Sequence, residues 1–156
     1  MKKAISLVVA CLLFVSLVGC GNLVILNEEE QQAYDCAVKM KSMLKDPDSF
    51  KLYDSMYMLQ NYDKEGNLLA TYTMFKYGGT NSYGAIITNE AVFKDGEYLM
   101  DYADEADPEA DNYEDQLFFE MAITSYELSK YSDEPYSGYK FLELDVEKIK
   151  RKMGLE

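Results

Sequence analysis

Histidine and tryptophan are both absent from the 156 residues of this chain. Without histidine the protein lacks the usual general base near neutral pH, every catalytic triad built on histidine, and most kinds of zinc site. A glycine-rich phosphate loop is also missing, because Gly78-Gly79 is not followed by the Lys-Ser or Lys-Thr of that motif. We therefore expect a protein that is not an enzyme and that holds no cofactor and no metal.

Positive charge is scarce along the chain. There are 15 lysine and arginine residues against 28 acids, so the net charge is −13. An excess of acids of this size repels nucleic acid and anionic lipid headgroups. We expect no nucleic-acid partner, and a body with little attraction of its own for a membrane surface.

The first twenty residues combine a basic start with a short apolar run. Met1-Lys2-Lys3 precedes fifteen largely apolar residues, 4–18, and Leu17-Val18-Gly19-Cys20 closes the segment. As a helix the run would be about 22 Å long, whereas the hydrocarbon core of a bilayer is about 30 Å thick. The pattern therefore favours a signal peptide over a membrane-spanning helix.

The last four residues of this segment carry a more specific resemblance. The segment resembles a bacterial lipoprotein signal peptide, with Leu17-Val18-Gly19-Cys20 as its lipobox and Cys11 as a poorer cleavage position. The resemblance implies cleavage after Gly19, a diacylglycerol thioether on Cys20, and lipid anchoring on the extracytoplasmic face of the cell membrane. Stable anchoring requires at least two acyl chains, which this group supplies. Residues 1–19 would then be the signal peptide, 20–27 a lipidated tether and 28–156 a single domain; a plain secretory signal is the alternative.

Cys36 is the cysteine that such cleavage and lipidation leave free, so no disulfide can form within the domain. It falls on the apolar stripe of the first predicted helix. That position favours a buried small hydrophobic side chain over a reactive thiol.

Capping and spacing signals predict a helix at the start of the domain. Asn27, with Glu30 three residues later, forms the pattern of a capping box, and Pro47 stops the helix. One apolar stripe recurs at helical spacing between them. Its members are Ala33, Cys36, Ala37, Met40, Met43 and Leu44.

The pattern of residues 50–102 predicts an antiparallel meander of four strands. We place the strands at 50–61, 68–77, 83–93 and 97–102, with glycine-containing turns at 63–67, 78–81 and 94–96. On the first strand, alternation sends two sets of side chains to opposite sides of the sheet. One set is Phe50, Leu52, Met56 and Met58, and the other is Tyr53, Tyr57 and Leu59.

The carboxyl-terminal half is predicted to hold two helices and a short strand. The second helix spans 113–131, a strand follows at 139–144, and Asp145 caps the last helix. The fold class is therefore α+β: an amino-terminal helix on an antiparallel sheet of four to five strands, with two further helices. The second helix should be well buried through a wide apolar arc. Its predicted inner face is Leu117, Phe118, Met121, Ser125 and Leu128, widened by Phe119, Ile123 and Tyr126.

Two segments carry a second resemblance. Residues 44–50, Leu-Lys-Asp-Pro-Asp-Ser-Phe, and residues 77–85, Tyr-Gly-Gly-Thr-Asn-Ser-Tyr-Gly-Ala, look like segments of small uncharacterised lipoproteins of Gram-positive bacteria. The likeness extends over residues 30–100. It implies structural signatures, a helix stop and a turn relieved by glycine, and brings no activity and no catalytic residue.

Two groups of side chains are candidates for a binding site. Eight acids and no base lie between Asp101 and Asp115, which invites a calcium site, although the spacing from Asp107 does not match an EF-hand loop. A solvated connector that caps the second helix is the other interpretation. Tyrosines on the strands form either a contact face or ordinary sheet packing. These are Tyr53, Tyr57, Tyr62, Tyr72, Tyr77 and Tyr83.

The sequence supports a leading hypothesis and two alternatives for function. The leading one is a non-enzymatic, lipid-anchored extracytoplasmic module that binds an envelope protein or other envelope ligand, with Cys20 as its site of lipidation. The first alternative is a calcium- or glycan-binding surface module that uses the acidic loop or the tyrosine face. The second alternative is a small hydrolase that uses a pair of carboxylates.

Overall fold

The computed structural model describes residues 24–80, 83–102, 106–129 and 138–155. Residues 1–19, predicted as a signal peptide, and the predicted lipidation site Cys20 lie outside these ranges. The elements are, in chain order, α1 (Glu28–Met43), β1 (Lys51–Tyr62), β2 (Leu68–Thr80), β3 (Ile86–Lys94), β4 (Glu97–Asp101), α2 (Tyr113–Ser129), β5 (Tyr139–Glu143) and α3 (Val146–Met153). A single 3-10 turn, Pro47–Ser49, separates α1 from β1.

The five strands form one antiparallel sheet in the order β4-β3-β2-β1-β5. The first four strands are the expected meander, and β5 returns to pair with the free edge of β1. The α+β class is confirmed, with α1 before the first strand, α2 between β4 and β5, and α3 after β5.

Helices cover both faces of this sheet, and each face has its own hydrophobic cluster. Helices α1 and α3 pack on one face, where Met56, Phe75 and Ile149 are buried. Helix α2 packs on the other face, where Leu59 and Tyr72 are buried. The alternation of side chains along β1 and β2 therefore feeds two cores. We call these two sides the α1 face and the α2 face.

The predicted inner face of α2 is wrong. Phe118, Met121 and Leu128 are 59%, 63% and 67% exposed, whereas Phe119 and Ala122 are buried against the sheet. Apolar residues are distributed around the whole circumference of α2, so the helix has no single apolar face. Phe119, Ile123 and Tyr126, which were expected only to widen the buried face, contact the sheet. The predicted centre of that face points to solvent.

The predicted turn at Gly78-Gly79 is also wrong, because both glycines lie inside β2. The two glycines leave space for the side chains of Leu44 and Tyr53. A Cβ atom on Gly79 would lie 2.6 Å from Cδ1 of Leu44, and one on Gly78 would lie 3.1 Å from the ring of Tyr53. The two segments of the second resemblance meet at this point, since the Thr80 amide donates to Ser49 Oγ over 2.8 Å.

Other turn signals are confirmed. Gly66 adopts a φ of 86° in the first hairpin, a value that suits a residue without a side chain. Asp95 and Gly96 both have positive φ, at 49° and 85°, as expected of a tight two-residue hairpin turn.

The predicted capping box of α1 is present, and its Glu30 also pairs with α3. The Glu30 amide donates to Asn27 Oδ1 over 2.7 Å, and the Asn27 amide donates to Glu30 Oε2 over 2.8 Å. The same Glu30 oxygen accepts from Nζ of Lys148 on α3 over 2.6 Å. Because Glu30 is buried, one carboxylate both starts α1 and ties it to α3.

Replacing Glu30 by alanine should lower the free energy of unfolding by about 2 kcal/mol. The change removes a cap and leaves the half-buried Lys148 ammonium without its partner. The matched control is Glu28→Ala in the same first turn, which loses only an exposed acid near the helix dipole and should cost less than about 0.5 kcal/mol. Urea unfolding followed by circular dichroism measures both, and equal costs would contradict the double role of Glu30.

Candidate functional site

The described surface contains an open groove between α2 and the sheet, with a volume of about 200 Å³. Its lining is mainly apolar and includes one serine hydroxyl and three charged side chains. The apolar residues are Tyr57, Met74, Phe75, Tyr102, Ile123 and Phe141; the polar ones are Ser55, Lys76, Glu90 and Glu127.

Three stacked rings lie beside the groove, and two of them, Tyr57 and Phe141, line it. The ring of Phe141 on β5 lies 5.3 Å from that of Tyr57 on β1 and 4.7 Å from that of Tyr126 on α2, measured between centroids. Offset stacks of this kind stabilise a fixed arrangement beyond simple burial. The stack therefore joins the sheet to α2.

A bulge in β1 shapes the other end. Leu52 pairs with Tyr77 and Met56 with Phe75, so four steps along β1 match two along β2. The additional residues bring Ser55 to the groove, opposite Lys76. The Lys76 ammonium lies over the ring of Tyr53, 5.9 Å from its centroid, which is the geometry of a cation–π contact.

The acidic connector before α2 holds that helix in place. Gln116 accepts from the Asp107 amide and donates to Asn112 Oδ1, each over 2.8 Å. Asn112 in turn donates to the carbonyl of Leu99 on β4, and Asp115 forms an ion pair with Lys94. These contacts agree with the interpretation of the segment as a connector and fasten α2 to the sheet, while the predicted capping of α2 stays a prediction.

The calcium hypothesis is not tested by these contacts and stays a prediction. Across residues 24–80, 83–102, 106–129 and 138–155, no three histidine, cysteine, aspartate or glutamate side chains come together in a way that could hold a metal ion. Residues 103–105 of the acidic loop lie outside that description.

The six candidate tyrosines do not form one face. Tyr72 and Tyr77 are buried on opposite faces of the sheet, against Phe119 and Phe50 respectively. Tyr83 is exposed. The Tyr62 hydroxyl donates to Gln60 Oε1. Among the six, Tyr57 lines the groove and Tyr53 borders it through Lys76.

Burial also sets the chemistry of the two shifted groups in the core. Burial raises the pKa of Tyr72 to about 12, with the Asp115 and Asp95 carboxylates adding to the effect. It raises the pKa of Cys36 to about 11, an effect that the Thr73 hydroxyl partly offsets. Both side chains are therefore neutral packing groups near pH 7, as was predicted for Cys36.

The sequence pointed to a single residue of the groove, Tyr57. Lys76, Glu90 and Glu127 look like ordinary solvated charges in the sequence, and Ile123 and Phe141 look like core residues. The groove depends on the bulge in β1 and on which side of α2 meets the sheet. Neither feature leaves a local signal.

No protein-family model, curated protein or solved structure matches this chain. In the part of the chain that the structure describes, no helix has both the length and the apolar character to cross a membrane.

Cys36 should be unreactive in the native protein. Raising the pKa from 9.0 to about 11 lowers the thiolate fraction about a hundredfold at mildly alkaline pH, and only the thiolate reacts. Iodoacetamide should label Cys36 only after unfolding, as read by mass spectrometry of the Cys20→Ala domain. Because the raised pKa favours the folded thiol, its stabilising effect is complete below pH 9.0 and is lost as the pH rises towards 11.

The control is Ser42→Cys, which places a second thiol on the exposed side of α1. It should react at the rate of a free thiol while Cys36 stays unlabelled. Equal labelling of both thiols in the folded protein would overturn the assignment of Cys36 to the core.

Proposed function

We propose that this protein is a lipid-anchored extracytoplasmic module that binds a protein partner and has no enzymatic activity. The observation that carries the binding role is the groove between α2 and the sheet. Its lining is mainly aromatic and aliphatic, with Ser55 and the charged side chains of Lys76, Glu90 and Glu127 among it. Sites that combine an apolar lining with a few polar groups are typical of ligand recognition.

The size of the groove favours one or two side chains of a partner as its occupant. Pockets for whole small molecules measure roughly 300–1,000 Å³, whereas this groove measures about 200 Å³ and is open to solvent. An aromatic or branched side chain from a protein would be held between Tyr57, Met74 and Ile123. Interfaces commonly draw most of their affinity from a few such anchors.

The charged side chains of the groove supply the means to select among partners. Lys76 lies on one wall, and the carboxylates of Glu90 and Glu127 lie nearby. Charged groups at the edge of an interface influence which partner binds and in which orientation more than they add affinity. A segment with an apolar anchor flanked by charges of both signs matches this arrangement.

Anchoring is supported by the lipobox Leu17-Val18-Gly19-Cys20 and by the short apolar run before it. The chain has no histidine and no cofactor motif, which agrees with a role in binding at a fixed location rather than in catalysis. Lipid on Cys20 would supply that location.

Small aromatic probes should bind in the groove. Indole titrated into the isotope-labelled domain should shift the methyl NMR signals of Met74 and Ile123 in a saturable way, with a dissociation constant of about 1 mM for so small a ligand. The methyl signals of Met40 and Ile149, which lie in the core of the α1 face, should not move.

The blocking variant is Ser55→Trp, which fills the end of the groove without removing any core atom. It should abolish the indole shifts, while Thr124→Trp, at an exposed position of α2 outside the groove lining, should leave them intact. Shifts that are equal in both variants, or that spread over the whole domain, would contradict the groove as a binding site.

Intact mass should reveal the lipid. Protein extracted from bacterial membranes should have the mass of residues 20–156 plus a diacylglycerol group, and Cys20→Ala should lose that modification. Cys11→Ala is the matched control and should keep it. A full-length or plainly cleaved mass for the unaltered chain would contradict lipid anchoring.

A further inference from the structure

The charges of α3 are distributed unevenly, and its last turn carries most of the uncompensated positive charge. Lys148 is paired with Glu30, and Lys150 is paired with Asp54 and Glu147. Arg151 and Lys152 are exposed, and neither has an acidic partner within the described ranges. This acidic protein therefore presents two unneutralised cations at one end of one helix.

That end of α3 lies beside the point where the chain enters the domain. Nζ of Lys152 donates to the carbonyl oxygen of Val24 over 3.4 Å. Leu26 packs on the core of the α1 face. Since Lys148 also contacts Glu30, α3 runs alongside the first described residues in the opposite direction, and its carboxyl end meets Val24.

Val24 is four residue steps beyond Cys20, and a fully extended chain covers about 14 Å in four steps. A lipid on Cys20 would therefore hold Val24, and with it Lys152 and Arg151, close to the headgroups. The Debye length at physiological salt is about 8 Å, and about 14 Å is the upper limit of this reach, so any path shorter than a fully extended one would bring these charges within range of an anionic surface. Ile25, which is 72% exposed, adds an apolar side chain at the same place.

We propose that Arg151 and Lys152, together with Ile25, dock this end of the domain on anionic phospholipid headgroups and so fix its orientation on the membrane. The inference rests on the lipid anchor of the proposed function. It revises the expectation of a body with no attraction for the membrane, because the net charge of −13 conceals a local positive end. The acids nearest to the tether, Glu28 and Glu29, lie in the first turn of α1, where the helix dipole partly offsets their charge.

Fluorescence of a single tryptophan tests the orientation, because the natural chain has none. Ile25→Trp reports from the docking end, and Phe118→Trp reports from the exposed side of α2, on the other face of the sheet. Each lipidated full chain is placed in vesicles of phosphatidylglycerol and phosphatidylcholine that carry a headgroup spin label as quencher. Flotation of the vesicles shows separately whether the protein is anchored.

The tryptophan at position 25 should be quenched and the one at 118 should not. Adding Arg151→Gln and Lys152→Gln to the Ile25→Trp chain should lower the ratio of docked to undocked protein about fivefold per charge, and about thirtyfold together. Pure phosphatidylcholine vesicles, or salt of about 1 M, should have the same effect. The paired control Lys64→Gln, at the tip of the first hairpin, should change nothing.

Two results would overturn the proposal, and they differ in what else they affect. Anchored protein whose tryptophan at 25 is quenched equally with and without the two cations has no electrostatic docking, although its lipid anchor stands. Protein that does not float with the vesicles has no anchor, which overturns the anchoring in the proposed function as well.

Discussion

The hairpin of β1 and β2 lies in the middle of the sheet, and helices have to cover it on both sides. Each strand sends alternate side chains into a different core, Met56 and Phe75 towards α1 and α3, and Leu59 and Tyr72 towards α2. A helix on one face alone would leave the other face as a large exposed apolar patch. Because α1 and α3 already occupy one face, α2 has to be recruited to the second, and the connector before it carries the contacts that keep it there.

The groove arises because α2 covers the second face of the sheet only in part. The helix covers the end of the sheet near β4 through Phe119 and Ala122, while further along, Ile123 leaves space above Met74 and Tyr57. The bulge in β1 falls beside this space, and bulges re-aim side chains where a strand borders a site. Packing that is complete at one end and incomplete at the other is thus the structural origin of the candidate site. The ring stack on Phe141 connects β1 and β5 to α2 beside this space.

Local signals in the sequence determined most of the elements, and long-range packing determined what was missed. The capping box at Asn27 and Glu30 and the hairpin glycines require only neighbouring residues, so they could be predicted. The bulge could not, because it adds two residues to β1 and leaves the alternation of apolar side chains unchanged. The orientation of α2 could not either, since two apolar arcs compete on one helix and only the sheet decides between them. The groove depends on both features and was therefore invisible in the sequence apart from Tyr57.

The proposed membrane-docking end and the proposed binding groove lie on different faces of the sheet, and this separation has a mechanical consequence. The tether enters beside α3 on the α1 face, whereas the groove opens on the α2 face. A domain that rests on the membrane through the end of α3 keeps the groove away from its own anchor and accessible to a partner. The buried pairing of Glu30 with Lys148 is the link that makes this orientation rigid, because it fixes α3 against the helix that the tether leads into. An acidic body above an anionic bilayer would then be repelled everywhere except at its basic end, so attraction and repulsion favour the same orientation.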